Sequence, residues 1–320
     1  MENRRAMNNC VGRMNSVSEP SREDPPIRPD SNRWIVVVAR VAAAATLVSV
    51  VTLADTIGDW ADGPRIVTLA TLWVTWGAVL LAVLVPSTVS LTAVRLLVPS
   101  IAGVALVRML DGAEPAVWLA LSVALLATVL TAAAEVGEHF AQLSAYGDER
   151  RFPLRCPAPM LAVLVLSWLV WFAAIVGALH LLLATDRTGS DVGAGIACAV
   201  VAVAATVALP RRFHRFSRRW LVYVPAGLVV HDHVALAETA MFSSADVVRV
   251  EPTERSDEAD LSAGCRHAGV AIELADFDTV VKAATPSTPG GSAVHVRTMW
   301  VCPSRPGRAS SAWAARSPRR

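Results

Sequence analysis

The 320-residue chain reads as an α-helical integral membrane domain of six transmembrane helices followed by a small β-rich C-terminal domain. Three observations carry that reading. Six apolar runs occupy residues 34–54, 66–86, 89–110, 115–135, 157–184 and 192–209, each close to the ~20 residues that cross a ~30 Å hydrocarbon core. The segments between the runs alternate in the sign of their charge. Beyond residue 210, long apolar runs give way to short alternating stretches broken by turn residues. Bulk composition agrees: 54% of residues are hydrophobic and mean hydropathy is +0.46, both high for a soluble domain. A net charge of +2 supplies no bulk attraction for nucleic acid, and none is expected as a partner.

Residues 1–33 are polar and rich in Asn, Ser, Pro and Arg, with "SEPSREDPPIRPD" near their end. Such a segment buries too little apolar area to offset its ordering entropy, so a disordered N-terminal tail is expected. The first apolar run lies too far from Met1, and is too long, to read as a cleaved leader.

Orientation follows from the arginines. Arg4, Arg5, Arg13, Arg22, Arg28 and Arg33 precede the first run, Arg150, Arg151 and Arg155 follow the fourth, and "RRFHRFSRR" (211–219) follows the sixth. The intervening connections are acidic, with Asp55, Asp59 and Asp62, then Asp111 and Glu114, then Asp186 and Asp191. Lys/Arg excess marks the cytoplasmic side. All connections then agree on six spans with both termini in the cytoplasm. A single lysine (Lys282) among 29 Lys+Arg points to a GC-rich bacterial coding bias, hence a bacterial cell membrane.

Within the membrane domain (34–210), short connections predict antiparallel packing of consecutive spans. Gly189 and Gly193, at G-x-x-x-G spacing, and Ala120 and Ala124 offer close helix approach. Trp34, Trp60 and Trp118 fall at span ends, where an indole prefers the interface. Pro99, with Ser100 and Gly103, is the best candidate for a break in the third span.

The domain 211–320 opens with a basic juxtamembrane segment. "RWLVYVPAGLVVHD" predicts a hairpin turning at Pro225-Ala226-Gly227, with further strands at 246–252, 269–275 and 293–303. In the last, Val294, Val296 and Thr298 alternate with His295, Arg297 and Met299 as on a half-buried strand. A short helix is expected after Pro306. The product is a small barrel or sandwich with a terminal helix.

Two strings, "RRWLVYVPAGLVVHD" after the last span and "VPSTVSLTAVR" at 85–95, resemble uncharacterised actinobacterial multi-pass membrane proteins with a C-terminal cytoplasmic PH-like domain. The resemblance implies a helical membrane domain joined to a PH-like fold. It carries over no catalytic residue and no lipid-binding activity.

Candidate chemistry is sparse. Arg40 lies about two turns into the first span and Arg95 one to two turns into the third, shallow enough to snorkel. Glu135, Glu138 and His139 close the fourth span at the same level. An inner-leaflet polar cluster is therefore predicted, with Arg40 and Arg95 paired to the glutamates; the plainer alternative is that each side chain reaches water alone. "EVGEH" (135–139) and "HDH" (231–233) lack the spacing of zinc or di-iron sites, so no metal is expected. The five cysteines form no C-x-x-C pair and read as free thiols. Nor is there a Walker A, a G-x-G-x-x-G after a strand, a G-x-S-x-G or a kinase signature; no cofactor is expected.

The strongest physical content lies at 211–219. Arg211, Arg212, Arg215, Arg218 and Arg219, with Phe213 and Phe216, predict contact with anionic cytoplasmic lipid at ~1 kcal/mol per basic residue; the plainer alternative is stop-transfer and positive-inside anchoring alone. Three functions fit the chain. A non-enzymatic membrane protein whose β-domain docks a protein partner or the anionic inner leaflet comes first. A small secondary transporter or channel is the alternative, and a membrane-embedded enzyme the third.

Overall fold

The computed structural model describes residues 33–58, 60, 62–112, 114–184, 188–254, 259–284 and 288–316. The tail expected at 1–33 lies, Arg33 excepted, outside the described residues. The helices are α1 (Arg33–Thr56), α2 (Asp62–Leu84), α3 (Thr88–Asp111), α4 (Pro115–Ala132), α5 (Ala134–Leu143), α6 (Ala158–Leu183), α7 (Gly189–Ser217) and α8 (Pro306–Arg316). Among the described residues all but α5 and α8 are long and apolar enough to cross a membrane, six helices that fit a helical membrane domain.

Local chemistry sets the helix starts. Ser87 caps α3 by accepting from the Ser90 N–H, and Pro115 opens α4 where no N–H is needed. Thr188 and Asp191 close a reciprocal capping box on α7. The fourth span is shorter than the run 115–135. Ala133, at φ −55° and ψ 144°, leaves the helix, and the chain restarts as α5.

Helix α3 is the most enclosed of the spans, α6 and α7 the least. Ile101, Ala102 and Ala105 of α3 pack with Ala120, Leu121 and Ala124 of α4, together with Val50, Leu53 and Leu72. Ala120 and Ala124 have no exposed surface. Backbone carbonyls inside the bundle accept from Ser49 (Ala120 O, 2.8 Å), Trp76 (Ala44 O, 3.2 Å) and Trp168 (Leu96 O, 3.2 Å), bonds that average ~0.6 kcal/mol in membranes.

Two small-residue readings are corrected. Helix α3 runs unbroken through Pro99. Pro99 removes one ladder donor, yet the neighbouring Leu96 carbonyl takes the Ser100 hydroxyl and the Trp168 indole. Gly103 serves packing: a Cβ there would meet the Phe172 ring at 2.5–2.9 Å, and Phe172 stacks on Trp168. A Cβ added at Gly189 or Gly193 would meet nothing within 4 Å among the described residues; the close α6–α7 approach falls instead at Gly177 against Cys198 and Gly195 against Leu182.

Among the described residues the sheet-rich region has two four-stranded sheets. One is ordered β1 (Arg150–Pro153), β2 (Trp220–Val224), β3 (Gly227–His231), β4 (Ala240–Ser243). The other is ordered β5 (Val247–Thr253), β7 (Gly269–Lys282), β8 (Ser292–Val301), β6 (Ala259–Asp260). The β2–β3 hairpin pairs Val224 with Gly227. Gly227 is required there, because a Cβ would overlap the Phe242 carbonyl oxygen. One core joins both sheets, with Leu221, Tyr223, Leu228, Ile272, Met299 and Val301 under Ala309 and Trp313 of α8.

Strand β1 comes from the α5–α6 connection and not from the tail. Phe152 enters the tail's core, 5.1 Å from the Tyr223 ring. The boundary at residue 211 therefore does not enclose the β-domain. Met299, expected on the polar face of its strand, is fully buried. Four β7 residues bulge out between Glu273 and Asp278, opposite Arg297, and the side-chain alternation of β8 changes phase there.

Candidate functional site

The basic run at 211–219 begins as helix and stops one residue short of strand β2. Helix α7 continues past Pro210 to Ser217, and Arg218 is its C-cap, where a cation complements the exposed carbonyls. Arg211, His214, Arg215 and Arg218 share one helical face. Arg211, Arg212, Arg215 and Arg218 are exposed. The end of α7 is fixed to the start of α3 by Thr92, whose hydroxyl lies 3.3 Å from Ser217 Oγ and 3.5 Å from His214 Nδ1.

Arg219 does something else, and its assignment to the lipid surface is corrected. It is 1% exposed. Its Nε and Nη2 donate to the two carboxylate oxygens of Asp232, each at 2.7 Å. Nη1 donates to the Arg155 carbonyl at 3.1 Å. Asp232 also accepts from the backbone N–H groups of Val234 and Ala235. A paired, fully bonded arrangement of this kind is what allows two charges to be buried.

The predicted polar cluster forms only in part. Arg40 reaches His139 Nε2 at 3.4 Å. Arg95 pairs with no carboxylate among the described residues; its guanidinium lies against Gly137, where a Cβ would stand 2.9 Å from Nη2. Glu138, 7% exposed, turns to the C-terminal segment, 3.5 Å from Arg305 Nη1 and 3.2 Å from Arg308 Nε. Glu135 enters no ion pair among the described residues. The glutamate thus clasps the β-domain to the helices, a role invisible without knowing that α8 folds back onto α5.

More ties knit the α5–α6 connection into the β-domain. Leu154 N–H donates to the Arg219 carbonyl, Arg155 N–H to the Cys302 carbonyl and Ser304 N–H to the Pro153 carbonyl. The Arg151 guanidinium lies 4.7 Å over the Trp220 ring.

Two cavities meet at this junction. A groove of about 460 Å³ lies between α3, α6 and α7, with Leu96, Trp171, Thr206 and Leu209 among its lining residues. A basin of about 260 Å³ is lined by His214, Arg215, Arg218, His231 and His233. His214 belongs to both. Among the described residues the basin has no carboxylate in its lining, and His233 Nε2 is buried there without a partner. Burial lowers the pKa of His231 and His233, and nearby Arg218 and Arg215 respectively push further the same way. The HDH motif thus sends Asp232 inward to Arg219 and its two histidines to the basin.

Cys265 and Cys302, both buried and free, bring their Sγ atoms to 2.7 Å. Burial pushes the Cys302 and Cys156 thiols up, away from reactivity at neutral pH. No group of three or more metal-ligating side chains occurs among the described residues. Comparison with protein-family models, curated proteins and solved structures finds no match to this chain.

Proposed function

We propose that this is a non-enzymatic protein of the bacterial cell membrane whose cytoplasmic β-domain is docked at the anionic inner leaflet, with both termini in the cytoplasm. One observation carries the reading: four guanidinium groups stand exposed on a helix continuous with the last span, at the level where that helix enters the β-domain. Basic groups held there by a rigid rod lie within a Debye length of lipid headgroups, where their attraction is least screened. The β-domain is tethered at both β1–α6 and α7–β2, and clasped by Glu138, so the leaflet and the domain hold a fixed relation. Two packed sheets closed by a C-terminal helix also support the PH-like reading.

A protein partner of the same domain is favoured by three exposed apolar side chains, Met241, Val248 and Phe277, the last 71% exposed on the β7 bulge. A photo-crosslinking residue at position 277, in native membranes, tests this by the adduct it yields.

The leaflet reading is tested with the full chain in mixed vesicles carrying spin-labelled lipids. The motionally restricted fraction should be larger for anionic than for zwitterionic lipid and should fall as salt rises. Replacing Arg211, Arg212, Arg215 and Arg218 by Gln should remove that preference. Equal fractions for both lipids in the parent protein overturn the reading.

A further inference from the structure

The groove and the basin have complementary chemistries and a shared wall. From Thr206 to His214, α7 rises about 12 Å, most of the depth of one leaflet's hydrocarbon. Over that depth the groove is bounded chiefly by apolar side chains, with Thr92, Thr206 and Arg211 also in its lining, and its volume of about 460 Å³ lies in the usual range for a ligand site. At its β-domain end it reaches His214, beyond which the basin opens between Arg215, Arg218, His231 and His233. The sequence is therefore apolar slot, headgroup level, cationic chamber, in the order of the parts of a phospholipid.

Resting on the docking reading above, we infer that the joined groove and basin hold one anionic phospholipid, an acyl chain along α3 and α7 and its phosphate between Arg215, Arg218 and His233. The two guanidinium groups supply charge-assisted donors. His233 Nε2, buried and without another partner among the described residues, supplies a third donor in its Nε2–H tautomer. A soluble phosphate would use the basin alone and leave the apolar slot without a role. Moving an acyl chain from bilayer to groove changes little, because both are hydrocarbon. Selectivity must come from the headgroup contacts.

The test is native mass spectrometry of the full chain released from mixed-lipid nanodiscs. One phosphatidylglycerol should be retained per chain and phosphatidylcholine should not. Arg218→Gln and His233→Ala should each lower occupancy by about tenfold, as expected for loss of one hydrogen bond to a charged group. Thr206→Trp, which fills the slot, should expel the lipid. A groove-blocked protein that still binds inorganic phosphate as the parent does, with lipid retained as well, would reduce the site to a free-anion basin and overturn the proposal. So would equal retention of both lipids by the parent protein, a comparison that needs no variant. Arg212 lines neither cavity, so Arg212→Gln should weaken the salt-dependent leaflet preference while the retained lipid stays. That variant separates failure of this site from failure of the docking reading.

Discussion

Arg218 and Arg219 are neighbours in one basic run and have opposite fates. Residues 211–217 belong to the last turns of a membrane helix and Arg218 is its C-cap, and their guanidinium groups stand in the open. One residue later, between the helix end and β2, Arg219 is enclosed in a two-bond clamp on Asp232. Composition is the same on both sides; only the change of backbone period differs. The lesson is that a cluster of like charges divides where the helix stops. The exposed groups are left open to what lies outside the protein, while the enclosed one serves the fold.

The largest expected effect tests the enclosed side. Asp232→Ala leaves the Arg219 charge buried and unpaired, and a loss of about 3–5 kcal/mol is expected in the β-domain. Protease-coupled thermal unfolding of the full chain measures it. A variant as stable as the parent would show that water reaches Arg219 and that the contrast with Arg218 is false.

A comparable effect is expected at the seam between the two regions. Phe152→Ala should cost about 3–5 kcal/mol, the usual toll for an aromatic removed from a core, although residue 152 lies before α6. A fragment beginning at residue 211 should accordingly be less stable than the intact β-domain. Stability of that fragment equal to the domain in the full chain would contradict the borrowed strand.

These two sites also mark where the sequence is legible and where it is not. The six spans are readable because about 20 consecutive apolar residues have few other uses. The hairpin at 220–231 is readable because its turn is local. Strand β1 is not, since "RRFP" is short and its partner lies about 70 residues on. Met299 is misread because a bulge in the opposing strand changes side-chain parity, and parity is all that a single strand's pattern reports. Cys265 and Cys302 meet across 37 residues with no spacing signal. The capping box Thr188–Asp191 is written plainly in the sequence and moves the start of α7 three residues ahead of the apolar run. At the candidate site, the basic run is obvious from sequence, but the boundary between Arg218 and Arg219 is not. Nor is the convergence of His231 and His233 on α7.

A smaller effect concerns pH. His231 faces Arg218, Arg151 and Asp232, and His233 faces Arg215, Arg219, Asp232 and His231. Burial dominates and keeps both pKa values below the unfolded value. As pH falls through about 6.5, the unfolded chain takes protons before the folded one, so stability is lost toward acid. A variant with Gln at both positions should lose less between about pH 7.5 and 5.5. An anion in the basin favours the protonated rings, so anionic lipid should shrink the acid loss in the parent. Identical acid profiles for parent and variant would remove the histidines from the comparison.

The most direct measurement sets the two sides of the run against each other in one unfolding experiment on the full chain. Four exposed arginines changed to glutamine, at 211, 212, 215 and 218, should leave β-domain stability within about 0.5 kcal/mol per site of the parent, as surface substitutions do. Arg219→Gln alone should destabilise it by several times that amount, since it leaves Asp232 buried without its cation. If the fourfold variant unfolds as readily as Arg219→Gln, or if Arg219→Gln unfolds like the parent, the division of the run is contradicted.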